Sequence, residues 1–139
     1  MLDSFHHDGY LSVSHSMTTK LHDDRKLNYS RGLLTLMMVT MGVLHLRLPN
    51  PFEKVMPSYL PDPLQLVLIS GVCEIAGGLG LQFALTRRWA AFGLIALYIA
   101  VFPANINMAL HANQFGPAWL FWLRLPLQIL LIWWAWANR

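Results

Sequence analysis

The chain predicts an all-α fold: an integral membrane four-helix bundle with both termini on the cytoplasmic side. Three observations carry that expectation. Hydrophobic residues make up 55% of the chain and charged residues only 12%, about half the ~25% charged share of soluble domains. The apolar residues gather in four runs, at about 31–48, 64–85, 89–110 and 119–137. The positive charges sit mostly at one end of those runs, as they do beside membrane spans. A soluble helical protein is the weaker alternative, because the runs leave almost no polar face to meet water.

Residues 1–30 read as a disordered polar extension, with residues 31–139 as the membrane domain. The extension's four histidines, His6, His7, His15 and His22, are irregularly spaced, so no metal site is assigned to them. Met17 offers an alternative start, which makes residues 1–16 of little expected consequence. The extension has no apolar stretch of signal-peptide length, so the first span is expected to act as its own insertion signal.

The first span is short. Its apolar part, Gly32 to Leu46, falls below the roughly 20 residues that cross a bilayer. Arg31 and Arg47 can extend it by snorkelling, and Pro49 and Pro51 end it. The linker that follows is rich in proline yet carries Phe52, Val55, Met56, Tyr59 and Leu60. It is expected to lie on or dip into the membrane interface, with Tyr59 as an anchor. The second span contains Glu74 and four glycines: Gly71, Gly77, Gly78 and Gly80. A turn at Thr86–Arg88 leads to the third span, with Tyr98, Pro103, Asn105 and Asn107 inside it. The fourth span contains Arg124, Pro126 and Gln128. Trp133, Trp134 and Trp136 near its end read as an interfacial belt.

Orientation follows from the cations. Lys20, Arg25, Lys26, Arg31, Arg87, Arg88 and Arg139 fall on one side, and Arg47 and Lys54 on the other. Seven against two puts the first group, and both termini, in the cytoplasm. The net charge of +3 follows from this arrangement and does not point to nucleic acid, because no basic stripe interleaves with aromatics. The lone cysteine, Cys73, excludes an internal disulfide and any Cys-x-x-Cys site. It reads as an inert packing residue in apolar surroundings.

Glu74 is the most informative position. An ionisable group near mid-bilayer costs a few kcal/mol unless it faces the bundle interior and has a partner. Ser70, Glu74 and Gly78 share one helix face, with Gly71 and Gly77 beside them. Small residues there let a second helix approach closely. Arg124 is the expected ion-pair partner, with Gln128 on its own face. His45 and Asn105 lie in the same half of the bundle, and Tyr98 shares the Asn105 face. Pro103 and Pro126 free the carbonyls of Ile99 and Trp122, which must then be buried in protein or face a wet cavity. Two readings of this polar cluster stand side by side. It is either a network that fixes helix register or a ligand pocket open to the outer side.

At these residues the chain resembles the DoxX family of small bacterial membrane proteins. The resemblance rests on "GVLHL" (42–46), "PDPLQLVLISGVCEIAGGLGL" (61–81), "RRWAAFGLIALYIAVFPANINMALH" (87–111) and "WLRLPLQILLIWW" (122–134). It implies a multi-pass bundle in the bacterial cytoplasmic membrane, with recurrent polar positions at His45, Glu74, Asn105, Arg124 and Gln128. It also implies a redox-linked subunit or accessory protein rather than a stand-alone enzyme, with quinone as the associated cofactor and a redox partner protein or a second copy as partner. The absence of a cysteine pair argues against thiol–disulfide catalysis. A non-enzymatic scaffold or assembly factor is the alternative. A small-molecule carrier is the third reading, weakened by the absence of an inverted repeat.

Overall fold

The computed structural model describes residues 3–54, 56–114 and 117–139, with side chains from residue 24 onward, Asn113 excepted, and those of Met17 and Lys20. Among the described residues the protein is all-helical. Helix α1 spans Asp3–Arg47, α2 Pro49–Glu53, α3 Pro63–Gly80, α4 Arg87–Leu110 and α5 Ala118–Ala137, with a single 3-10 turn at Ala112–Gln114. Helices α3, α4 and α5 are each long and apolar enough to cross a membrane. Many of their large apolar side chains are exposed, among them Ile69, Trp89, Ile129 and Trp133. Exposed apolar surface on that scale marks contact with lipid or protein.

The polar extension departs from expectation. It is helical from Asp3 and runs without a break into the apolar part of α1. Extending a helix from an anchored segment avoids the nucleation cost, and residues 3–30 contain no proline to interrupt it.

Helix α3 also differs, stopping at Gly80 rather than near Leu85. The Thr86 hydroxyl donates to the Gly80 carbonyl at 2.8 Å, and the Arg87 Nε donates to the Leu81 carbonyl at 3.1 Å. These side chains satisfy carbonyls that the helix end leaves free. Pro103 and Pro126 sit inside α4 and α5, which continue through them.

The long helices pack in sequence, α1 on α3, α3 on α4 and α4 on α5, with α1 against α3 the most extensive pairing. Glycines make that approach possible. A Cβ on Gly42 would meet the Gly71 carbonyl at 2.5 Å and Ile75 Cγ1 at 2.6 Å. On Gly71 it would meet His45 Cβ at 2.8 Å, and on Gly78 Met38 Cβ at 2.9 Å. The Thr35 hydroxyl adds a hydrogen bond to the Gly78 carbonyl at 2.7 Å. Gly77 and Gly80 serve the opposite side of α3, where Leu94 and Ala90 of α4 come close.

The bundle is unevenly filled. Towards the Ser30 end, Leu34, Met38, Leu81, Ala91, Leu94, Tyr98 and Ala135 form one buried cluster. Trp134 Nε1 and Asn138 Nδ2 both donate to the Ser30 hydroxyl, at 2.7 and 3.0 Å, tying α5 to α1 there. The other half is hollow. Because Gly71 lies against His45, α1 ends beside the middle of α3. From Gly71 back to Pro63, eight residue steps, α3 rises above it by about 12 Å at 1.5 Å per residue. Helix α2 and the described residues between it and α3 pack there. Asp62, the residue before the α3 start, takes the left-handed conformation (φ 43°) to turn the chain down into α3.

Replacing Gly42 with alanine should cost about 1–3 kcal/mol, since the new methyl meets backbone that cannot move aside. Gly32→Ala, where a Cβ has nothing within 4 Å, should be neutral or slightly stabilising. Thermal unfolding in detergent distinguishes the two.

Candidate functional site

The hollow half encloses a cavity of about 280 Å³, just below the roughly 300–1,000 Å³ of small-molecule sites. Its walls combine two chemistries. Met37, Met38 and Met41 of α1, Met56 of the linker and Met108 of α4 supply thioether surface. Such side chains are flexible and polarisable, and they adapt to varied apolar ligands. Among them stand His45, Ser70, Glu74, Tyr98, Asn105, Arg124 and Gln128. All six residues expected to form the polar cluster or pocket therefore line one cavity.

Their pairing is not the expected one. The Glu74 carboxylate pairs with His45, Nδ1 to Oε2 at 2.8 Å, with both side chains largely buried. The anticipated Glu74–Arg124 ion pair does not form. The reason lies in the helix order. Glu74 lies where α3 packs on α1, whereas Arg124 belongs to α5, whose neighbour is α4. The Arg124 Nη1 instead donates to Met108 Sδ at 2.9 Å, a weak acceptor for a group with five donors.

A carboxylate at Nδ1 holds the imidazole proton on that nitrogen and leaves Nε2 for another partner. Phe52 of α2 stacks on the His45 ring, with centroids 4.1 Å apart and planes tilted by 59°. Across the cavity, Asn105 Nδ2 donates to Gln128 Oε1 at 2.7 Å, and Gln128 Nε2 donates to the Tyr98 carbonyl. That carbonyl is one residue before Ile99, whose own partner Pro103 removes. The Tyr98 hydroxyl donates to Met38 Sδ at 2.7 Å. Among the described residues that line the cavity, Arg124 is thus the hydrogen-bonding group with the weakest acceptor.

Phe52, Met108 and Arg124 also line a second cavity of about 430 Å³, together with Asn50, Lys54, Gln114 and Phe121. These three side chains form the partition between the inner cavity and this vestibule.

Other expectations resolve differently. Cys73 is not packed inside but exposed on the outside of α3, because the glycine and Glu74 faces of that helix take the interior positions. Tyr59 is exposed, as an anchor would be, while Pro57 is buried and Phe52 and Met56 turn inward. No group of three or more His, Cys, Asp or Glu side chains among the described residues converges as a metal site. The side chains of His6, His7, His15 and His22 lie outside those described.

Residues 34–139 match the model of a domain of unknown function, DUF8561. The chain belongs to that family. The DUF8561 match takes in every residue that lines the cavity and leaves out the polar part of α1. No curated protein and no solved structure matches the chain.

Sequence reasoning missed the contributions of Phe52, Met56 and Met108. A signal for the thioether lining was present, since Met37, Met41 and His45 are spaced at i, i+4 and i+8, which stacks them on one helix face.

Gln128→Leu should destabilise the protein by about 1–3 kcal/mol. It removes the acceptor for Asn105 and the donor to the Tyr98 carbonyl, leaving buried polar atoms without partners. Chemical or thermal unfolding in detergent measures the loss.

Proposed function

We propose that the protein is a four-span membrane bundle of the bacterial cytoplasmic membrane, with both termini cytoplasmic, that binds a quinone-like lipophilic carbonyl compound. The bound compound would serve a redox partner, with the protein acting as a subunit rather than a stand-alone enzyme. One observation carries this reading. A methionine-lined cavity holds a His45–Glu74 pair on one wall and, on another, an arginine whose only hydrogen-bond acceptor among the described residues is a thioether. A carbonyl oxygen on an apolar ring suits such a site. Arg124 offers it the charge-assisted hydrogen bond that Met108 satisfies poorly, and the thioethers pack against the ring. His45, backed by Glu74, is placed to exchange a proton with a reduced ligand. The resemblance to the DoxX family supports the same reading. So does the vestibule, which gives a route to Arg124 from the side that carries Lys54.

The test is binding of a short-chain quinone, such as decylubiquinone, to the purified protein, followed by native mass spectrometry and thermal shift. The wild type should bind and unfold at higher temperature. Arg124→Gln should weaken binding at least tenfold, the equivalent of one charge-assisted hydrogen bond of about 1.5–3 kcal/mol. No binding of any quinone tested would remove the reading.

The second reading is a non-enzymatic scaffold. It draws on the polar groups that already satisfy one another, His45 with Glu74 and Asn105 with Gln128. On that reading Glu74→Gln disturbs folding or assembly and nothing else. A well-folded Glu74→Gln protein that loses quinone binding excludes it.

A further inference from the structure

At the end of the bundle away from the cavity, four arginines collect without acidic partners. Arg31 lies on α1, Arg87 and Arg88 open α4, and Arg139 follows α5. None of them makes an ion pair among the described residues. Two are occupied by rings. The Arg139 guanidinium lies 3.5 Å from the Trp136 centroid, and that of Arg88 lies 5.8 Å from the Phe92 centroid.

The other two are less settled. Arg87 spends its Nε on the Leu81 carbonyl. Arg31 donates from Nη1 to Asn28 at 3.2 Å, but its Nε is buried and has no acceptor. Gln82 Nε2 donates to the Thr35 hydroxyl at 2.6 Å, and Thr35 lies one turn along α1 from Arg31 on the same helix face, so Arg31 stands beside the turn that holds Arg87, and the two like charges repel. Two cations from different helices are thus held together against their repulsion, and one carries a buried N–H with nothing to bond.

A phosphate resolves both problems. Its oxygens accept from arginine forks in parallel pairs, and its negative charge offsets the repulsion. The same end carries exposed Trp89, Trp133 and Trp136, with Phe83 and Leu85 exposed on the α3–α4 turn. Tryptophans of this kind settle at the headgroup level of a bilayer. We infer that Arg31 and Arg87 form a site for the phosphate of an anionic phospholipid, at the junction of α1 with the α3–α4 turn. Basic pockets between membrane helices are suited to such headgroups. The site lies at the opposite end from the cavity and is independent of what the cavity binds.

The test uses the full chain in nanodiscs of phosphatidylcholine alone or with an equal share of phosphatidylglycerol. Thermal unfolding and the lipid retained in native mass spectrometry are the readouts. Phosphatidylglycerol should raise the unfolding temperature and remain bound after transfer to detergent. The combined Arg31→Gln and Arg87→Gln variant should lose the shift and retain about thirtyfold less of the lipid, as expected for removing two basic residues near an anionic surface. Arg88→Gln should behave as wild type. If the double variant does not fold, Arg87→Gln alone should still lose most of the retained lipid. Equal stabilisation of wild type and variants by phosphatidylglycerol would overturn the assignment to these arginines. Equal stabilisation by inorganic phosphate in phosphatidylcholine discs would overturn the lipid and leave a free-anion site.

Discussion

The close approach of α1 to α3 is the constraint on which the rest of this structure depends. Gly42, Gly71 and Gly78 leave no room for side chains between the two backbones, and that proximity delivers His45 to Glu74. A carboxylate within an apolar helix needs a partner of its own, and the partner must come from whichever helix can come nearest. Here the smallest residues select it. The glycines and the ion pair are therefore one device, since a bulkier α1–α3 seam would leave Glu74 facing a wider gap.

The same seam explains why one half of the bundle is solid and the other hollow. Leu34, Met38 and Leu94 interdigitate below, where α1, α3 and α4 run together. Just above Gly71, α1 ends, and the cavity opens between its last turns and α3, α4 and α5, with Phe52 and Met56 over it. Polar side chains occur in that space because they can satisfy one another there. Asn105 meets Gln128, and Gln128 meets the backbone beside a proline. Arg124 stands apart from these pairs, with only Met108 among the described residues to accept from it.

Much of this was legible from residue types alone. A glutamate, an arginine and an amide within apolar runs are costly enough in a membrane to predict that they face inward, and His45, Tyr98, Asn105, Arg124 and Gln128 do share a cavity with Glu74. What stayed hidden was who meets whom. Depth along a helix can be estimated from sequence, but the order of helices around a bundle cannot. Arg124 was the stronger charge, so it was the natural partner for Glu74 until the α1–α3 packing decided for His45. The extent of α1 was hidden for a related reason. Composition marks residues 1–30 as unable to form a core, yet a helix anchored at one end needs no core to continue. Cys73 shows the limit of hydropathy itself, because an apolar run does not say which of its faces looks outward.

The truncation of α1 separates two tasks that one helix commonly combines. Most walls of the cavity belong to the long helices, three of which are long and apolar enough to cross a membrane. Its cover, Phe52 and Met56, comes from the stretch that connects α1 to α3. Variation in that stretch can therefore change the lining of the cavity without touching the long apolar helices that form its other walls.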